Sequence, residues 1–306
     1  MATSITTTYA GEFAGKYISA ALLSASTLEN GLITILPNIK YKSVLQTGSY
    51  DDIVRDATCD YGSHGTLTLA EKVIQPEEFQ VNLTICKKDL HSMWQAEEMG
   101  FSAFDSLAPS FEEFVIAYTA AKVANRIETN IWAGQTGTNG QFDGFYYLAS
   151  ADAGVIDVTG TTVDASNVIA EMGKIADAIP TAIYGKEDTT IYVAPNIARL
   201  YIRALGGFGA NGLGANGVEN KGTTWFTNGA LSFDGIPVVV AQGMPAHSAM
   251  AAQKSNMFFG TGLLNDTNEV KVIDMSELDG SQNVRIVMRF TAAVAMGISS
   301  DVVLYA

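Results

Sequence analysis

Residues 110–133, SFEEFVIAYTAAKVANRIETNIWA, carry the clearest structural signal in the chain. They follow Pro109 and open with Ser110-Phe111-Glu112-Glu113, a capping box in which the serine and the second glutamate satisfy free N–H groups at a helix start. Apolar residues then recur at helical spacing until Gly134, at Phe111, Phe114, Val115, Tyr118, Ala121, Ile127 and Ile131. The pattern predicts a helix of about 24 residues, roughly 36 Å long at 1.5 Å per residue, which is long for a globular domain.

The residues before this helix are predicted to form a polar arm and a ribbon. Residues 1–8 are polar, and residues 16–25 read as a short amphipathic helix rather than a signal peptide, because their apolar run is short and begins late. Strand-like segments follow at 32–36, 66–69 and 79–85, with a glycine turn at 61–65. They predict a long, two-stranded, polar protrusion. Since such a ribbon is only marginally stable alone, we expect it to lie on a neighbour.

The second half of the chain mixes helices and strands. Residues 166–179 carry an apolar stripe that ends at Pro180, and residues 189–194 form a strand that leads into a helix ending at Leu205. Further strands are predicted at 236–240, 257–260, 269–273 and 284–290, the last with Arg285 and Arg289 on its outward face. This order of elements is that of an α+β protein.

A glycine-rich stretch, GGFGANGLGANGVENKG at residues 206–222, formally matches the G-x-G-x-x-G fingerprint of dinucleotide-binding loops. That fingerprint needs a strand before it and a helix after it. Here the preceding segment reads as a helix, and the following residues repeat a Gly-Ala-Asn-Gly unit that cannot start one. The stretch is therefore predicted to be a mobile loop with no cofactor.

Composition limits the classes of function. The chain has 306 residues, of which 47% are hydrophobic and only 16% charged, where about 25% is usual. A surface this poor in charge suggests that much of it faces other protein. The net charge of −14 argues against direct nucleic-acid binding, which needs a basic patch. No stretch reaches the ~18 apolar residues of a membrane span.

No catalytic, metal or cofactor site is predicted. The three histidines are isolated in sequence, and no pair has zinc-ligand spacing. The segment at residues 11–17 imitates a phosphate loop but lacks a spacer residue and the Ser/Thr that would hold magnesium. Adjacent acidic pairs such as Glu77-Glu78 point in different directions and read as surface charge. Cys59 and Cys86 are expected to be small buried residues, with one bridge between them as the alternative.

The order of these parts resembles the major capsid proteins of tailed bacteriophages, whose fold is named after bacteriophage Hong Kong ninety-seven. The stretches that carry the likeness are IYVAPN at 191–196, FDGIPV at 233–238 with Met244-Pro245 soon after, NMFFGT at 256–261, and a closing ribbon at 284–305. No single stretch is diagnostic, and their order across nearly the whole chain is the evidence.

The resemblance implies an α+β fold of four parts. They are an N-terminal arm at 1–36, an extended β-hairpin E-loop at 37–90, a peripheral domain at 91–185 and 265–306 with its spine helix at 110–133, and an axial domain at 186–264 that contains the loop 206–222. In that family the axial loop points at the centre of a ring of five or six subunits. Glycines would let one sequence adopt both ring geometries, because glycine tolerates backbone angles that other residues do not.

The resemblance also implies which residues assemble the shell. In the capsomer-centre loop they are Gly207, Phe208, Gly209, Gly212, Leu213, Gly214, Gly217 and Trp225. In the E-loop, which reaches from one copy to the next, they are His64, Leu67, Leu69, Lys72 and Phe79, and in the spine helix Ser110, Glu113, Phe114 and Tyr118. Some members join the E-loop to a neighbour by a lysine–asparagine bond. Lys72 lies in the right region, but no matched motif accompanies it, so that chemistry is not carried over.

The implied function is structural: an icosahedral shell of pentamers and hexamers, without enzymatic activity, that encloses double-stranded DNA in a virion and assembles in the host bacterial cytoplasm. The implied partners are copies of the chain, a portal, an optional decoration protein, and a separate scaffolding protein or none. DNA would be packaged without specific binding, and no membrane is involved. The alternatives are an encapsulin shell around a cargo enzyme, a soluble enzyme with a small-molecule pocket, and another virion protein such as a tail tube protein, which the long helix disfavours.

Overall fold

The computed structural model describes the chain from residue 26 onward with several gaps. The described residues are 26–39, 41–50, 53–57, 59, 62, 64–86, 109–205, 231–262 and 271–306. The helices within them are α1 Ser26–Glu29, α2 Pro109–Ala133, α3 Phe145–Ala151, α4 Val168–Ala178, α5 Pro195–Leu205 and α6 Ser276–Asp279. The long helix predicted at 110–133 is confirmed as α2, which begins one residue earlier, at Pro109.

The strands within the same residues form three sheets. They are β1 Thr34–Leu36, β2 Ser43–Tyr50, β3 Leu67–Ile74, β4 Glu77–Cys86, β5 Ile156–Val158, β6 Thr189–Val193, β7 Leu231–Phe233, β8 Ile236–Val240, β9 Ala249–Gln253, β10 Met257–Gly260, β11 Lys271–Asp274, β12 Asn283–Met296 and β13 Val303–Tyr305. The mixture of helices and sheets confirms the predicted α+β class.

The six-stranded sheet has the order β5-β13-β9-β6-β8-β7. Its central strand β6 is buried along its whole length, which explains its run of β-branched and aromatic residues, TTIYV. Helices α4 and α5 pack on it through Met172, Ile175, Ile197 and Tyr201. The sequence places both helices correctly, with α4 two residues shorter at its start than predicted.

The second sheet has five strands in the order β1-β10-β12-β11, with β4 also paired to β12. Along β12, Val284, Ile286 and Met288 are buried whereas Arg285 and Arg289 are exposed, so the predicted outward face of this strand is confirmed. The closing stretch at 284–305 is not one ribbon, however. It divides between sheets, because β13 leaves β12 and pairs with β5 and β9.

The third sheet is a ribbon of two antiparallel strands, β2 and β3. The sequence predicts a ribbon here, but its assignment of strands is wrong in one respect. The segment at 79–85 lies in β4 and pairs with β12 over ten residues, from Glu77 opposite Ala292 to Cys86 opposite Asn283. The partner of β3 is instead β2, which was not predicted to be a strand.

The two larger sheets meet on one apolar cluster beside α2. Trp132 is fully buried at its centre, with ring centroids 5.6 Å from Phe145 and 5.1 Å from Tyr192. The cluster includes Met257 and Phe259 of one sheet and Met250 of the other. Strand β10, predicted within the axial domain, lies in the five-stranded sheet, and β13, predicted within the peripheral domain, lies in the six-stranded sheet. The four-part division itself stays a prediction.

Candidate assembly surface

The ribbon has two chemically different faces. Because residues directly opposite each other in an antiparallel pair share a face, the register places Val44 with Val73, Gln46 with Glu71, and Gly48 with Leu69 on one side. Leu67 lies on the same side, two residues before Leu69. We call Val44, Leu67, Leu69 and Val73 the apolar face of the ribbon. The opposite face carries Thr47, Thr68, Ala70 and Lys72, with Leu45 and Ile74 packed against the body at its base.

The apolar face is exposed in the single chain. Leu69 is 73% exposed and Val73 53%, and Val44 and Leu67 are also exposed. Leu69 and Leu67 lie over Gly48, where an added Cβ would be 3.5 Å from Leu69 Cδ2. Single exposed apolar residues are ordinary, but here four lie on one side of a ribbon, in two pairs separated by Gln46 and Glu71, and such a surface can bind another protein.

The base of the ribbon is fixed to the body. Ile74, the last residue of β3, is 1% exposed and packs with Ile39, Ala293 and Ala295. This contact holds β3 against β12 at one end only. The rest of β3 extends away from it with exposed side chains, apart from half-buried Lys72. The ribbon is therefore anchored at its base and presents its apolar face beyond it.

A polar cluster at the base fixes Lys72. Its Nζ donates to Asp152 Oδ2 at 2.7 Å and to Ser299 Oγ at 3.1 Å. Ser299 Oγ in turn donates to Asp152 Oδ2 at 2.6 Å, and the Gly154 N–H donates to Asp152 Oδ1 at 3.0 Å. The hydrogen bonds from Lys72, Ser299 and Gly154 lower the pKa of Asp152 to about 2. Lys72 thus connects the ribbon to the body of its own chain.

A groove runs between β4 and α2. Its volume is about 430 Å³, and its lining includes Phe79, Val81 and Leu83 from β4 and Tyr118, Lys122 and Arg126 from α2. It adjoins a wider depression of about 960 Å³ that includes Glu77, Glu78 and Arg289, and the two share Phe79, Gln80, Gly140 and Phe290. The groove is therefore lined mainly by apolar side chains, together with the basic side chains of Lys122 and Arg126.

The predicted assembly residues are distributed over several places. His64, Leu67 and Leu69 are exposed on the ribbon or next to it. Phe79 instead packs within its own chain, with ring centroids 5.9 Å from Phe142 and 5.5 Å from Phe290. Tyr118 lines the groove. Ser110, Glu113 and Phe114 lie in α2, and their side chains are outside the described ones.

The whole capsomer-centre loop, Gly207 to Trp225, lies outside the described residues, so its predicted role stays a prediction.

Two contributors to the apolar face, Val44 and Val73, were not identified from sequence. A weak signal for Val73 exists, because it has the same parity as Leu67 and Leu69, although the polar Glu71 interrupts the apolar alternation between them. Val44 is recognisable only once β2 is paired with β3 in the observed register.

Other kinds of site find little support in the described part of the chain. There, no three His, Cys, Asp or Glu side chains come close enough together to bind a metal ion. Likewise, none of the described helices is both long and apolar enough to span a membrane. Cys59 is exposed and Cys86 half-buried, and both are free, so the expectation that both are buried is wrong for Cys59.

Comparison with known proteins relates this architecture to phage capsids. No protein-family model and no curated protein matches the chain. Among solved structures, a chain from the capsid of a native GTA particle matches with TM-score 0.65 and 14% identity, over 95% of this chain and 93% of that one. A chain from Mycobacterium phage Bobi matches with TM-score 0.60 and 14% identity, over 99% and 95%. The capsid of Myoviridae phage XM1 matches with TM-score 0.60 and 11% identity, over 94% of each chain.

These likenesses extend over nearly the full length of both chains in each pair, so they concern the whole architecture and not one sheet. The chain has the fold of tailed-phage major capsid proteins, as its sequence predicts. At 11–14% identity the likeness establishes the fold alone.

Proposed function

We propose that the chain is a major capsid protein, which assembles copies of itself into an icosahedral shell of pentamers and hexamers around the double-stranded DNA of a tailed bacteriophage. The observation that carries the proposal is the exposed apolar face of the ribbon, within a fold shared with phage capsid chains. A monomeric protein would leave this apolar surface exposed to water, whereas a shell protein buries it against the next copy. The role is structural, with no chemical turnover.

We propose the groove beside α2 as the surface on a neighbouring copy that receives the ribbon. Its lining residues Phe79, Val81 and Leu83 offer apolar contact to Leu67 and Leu69 of the ribbon. Charge also matches, because Glu71 lies among the apolar residues of the ribbon while Lys122 and Arg126 border the groove. A ribbon of one copy in a groove of the next is a heterologous contact, the type that closes into rings.

The glycine-rich loop is proposed to close the centre of each ring, with Phe208, Leu213 and Trp225 as its apolar anchors. Glycine allows one loop to adapt to rings of five and of six. Changing Gly209, Gly212, Gly214 and Gly217 together to Ala should leave the chain folded but impair closure of shells. Normal shells from this variant, seen by negative-stain electron microscopy, would contradict the proposed role of the loop and leave the proposed role of the ribbon unaffected.

In the decisive experiment, the full chain is expressed and the product is imaged by negative-stain electron microscopy. We expect closed shells from the wild-type chain and small soluble species from a double variant, Leu67→Ser with Leu69→Ser. The matched control changes the opposite face of the same strand, Thr68→Ala with Ala70→Ser, and should still form shells. Normal shells from the Leu67/Leu69 variant, or a wild-type chain that stays monomeric at high concentration, would contradict the proposal.

The contents of particles from the native source distinguish the two kinds of shell. Nuclease-protected double-stranded DNA supports a virion, and a cargo enzyme supports an encapsulin. A portal, a separate scaffolding protein and a decoration protein are proposed as further partners of a virion. Co-purification with native particles, followed by mass spectrometry, tests each of them.

A further inference from the structure

The groove between β4 and α2 offers an apolar wall of definite length. Phe79, Val81 and Leu83 alternate along β4 and therefore share one face of the strand. Phe79 packs against Phe142 and Phe290, whereas Leu83 is 42% exposed, so part of the wall is open to solvent. From Phe79 to Leu83 the strand spans about 13 Å at ~3.3 Å per residue. The groove volume of about 430 Å³ is in the range of small-molecule pockets.

Two basic side chains of α2 line the same groove. Lys122 and Arg126 are exposed and four positions apart, so they lie on one face of the helix. Lys122 Nζ lies 5.5 Å from the centre of the Tyr118 ring. Arg126 donates through Nε to the Gly140 carbonyl and through Nη2 to the Asn139 carbonyl, at 3.4 Å each. Since a guanidinium has five N–H donors, these two contacts orient Arg126 and leave its other donors for an anion.

No carboxylate in the groove balances these two cations. Of the described residues that line it, none is acidic. Glu77 and Glu78, at the start of β4, line the adjoining depression instead. Within the described part of the chain, neither Lys122 nor Arg126 forms an ion pair. Uncompensated cations beside an apolar wall favour a ligand that has an apolar body and one negative group.

We propose that this groove binds an amphiphilic organic anion of the class of a medium-chain fatty acid. Its hydrocarbon chain would lie along Phe79, Val81 and Leu83, and its carboxylate would accept hydrogen bonds from Lys122 and Arg126. Burial of the hydrocarbon chain supplies affinity, and the charge-assisted hydrogen bonds fix the orientation. A neutral amphiphile with the same chain would leave both cations without a partner.

The consequence for assembly rests on the proposed function, in which the ribbon of a neighbouring copy occupies the same groove. The ribbon would place Leu67 and Leu69 against the wall of β4 and Glu71 near the cations. One groove cannot hold both occupants. The bound anion would therefore compete with the ribbon and slow the assembly of copies.

The test is a ligand-observed NMR titration of the full chain with octanoate and, separately, with 1-octanol, which has the same chain length and no charge. The Leu67→Ser with Leu69→Ser chain is used, because it is expected to stay unassembled and leave the groove open. We expect saturable binding of octanoate that is about tenfold tighter than that of octanol, the size of one hydrogen bond between charged groups. Since the net charge of −14 repels anions in general, such a preference must come from local charges.

The variant Lys122→Gln with Arg126→Gln separates the two parts of the ligand. It should weaken octanoate by about tenfold or more, to the level of octanol, and leave octanol unchanged. The matched control is Arg199→Gln with Arg203→Gln, because these arginines are also exposed and four positions apart, on α5. The control should bind octanoate as tightly as the parent chain. Glutamine preserves helix propensity at all four positions, and circular dichroism checks the fold of each variant.

Equal affinity for octanoate and octanol, or octanoate binding that is unchanged in the Lys122/Arg126 variant, would overturn the site. Light scattering of the wild-type chain under assembly conditions tests the competition: octanoate should slow assembly more than octanol does at the same concentration. Assembly that saturating octanoate leaves unchanged would overturn the competition. Specific octanoate binding in a wild-type chain that never forms shells would overturn the proposed function and leave the binding site standing.

Discussion

The six-stranded sheet and the ribbon contain similar strand-forming residues but differ in what covers them. In β6, Thr189 to Val193, all five residues are buried by neighbouring strands and by α4 and α5. In β3, Leu67 to Ile74, only the last residue is buried. The sheet therefore buries its apolar residues within one chain, whereas the ribbon leaves most of its apolar residues exposed.

This difference separates residues that stabilise the single chain from residues available for assembly. Substitution in the buried region should lower the free energy of unfolding of the chain. Substitution on the apolar face of the ribbon should leave that free energy almost unchanged and act on the association of copies.

The largest expected effect is at Trp132, which packs against Phe145 and Tyr192 and donates to Thr27. Trp132→Ala should lower the free energy of unfolding by about 3–5 kcal/mol, because it opens a large cavity and removes a buried hydrogen bond. Urea unfolding of the unassembled chain, followed by circular dichroism, measures the change. Tyr147→Ala, at a partly exposed aromatic residue of α3, is the control and should stay within about 1 kcal/mol of wild type. Equal losses would contradict the placement of Trp132 in the core.

A pair of glycines gives a second contrast. The same substitution to Ala should lower the free energy of unfolding at Gly243 and raise it at Gly173. At Gly243 an added Cβ would lie 2.1 Å from the carbonyl oxygen of Glu128, so the loop after β8 approaches the backbone of α2 too closely for any side chain. Gly243→Ala should destabilise by about 1–3 kcal/mol. At Gly173 in α4 an added Cβ meets nothing within 4 Å, and Gly173→Ala should stabilise by up to about 1 kcal/mol. Thermal unfolding of both variants checks the signs.

The ion pair between Lys72 and Asp152 at the base of the ribbon should contribute less to the free energy of unfolding than the buried core residues do, since both side chains are partly exposed. The pKa of Asp152 is about 2 in the folded chain and 3.8 ordinarily, so its contribution is present above pH 3.8 and is lost as the pH falls toward 2. Asp152→Asn should lower the free energy of unfolding by about 1 kcal/mol at pH 7. The difference from wild type should shrink at pH 2.5 in urea titrations. A difference that is equally large at both pH values would show that packing, and not charge, holds Lys72.

The sequence predicts local elements well and long-range pairings poorly. The capping box and apolar spacing of 110–133 are sufficient to locate α2, because helix signals lie within a few residues of one another. Nothing near residues 79–85 reveals that they pair with a strand about 200 residues later, because alternation reports that a face is buried and not by which strand. The same reason hides Val44 of the apolar face, because this residue of β2 gains its apolar neighbour Val73 only through the register with β3. The hydrogen bonds from Thr27 to Glu128 were not predicted, because they join residues 101 positions apart.

The smallest effect on stability is expected where the effect on assembly is greatest. Leu69 is 73% exposed, so Leu69→Thr removes little buried area and should change the free energy of unfolding by less than about 0.5 kcal/mol. Leu304 of β13 is 2% exposed, and the same change there, Leu304→Thr, should destabilise by at least about 2 kcal/mol. Urea unfolding of unassembled chains measures both, and light scattering under assembly conditions measures association. If Leu69→Thr unfolds as easily as Leu304→Thr, the ribbon is buried within its own chain, and its apolar face is not available to a neighbour.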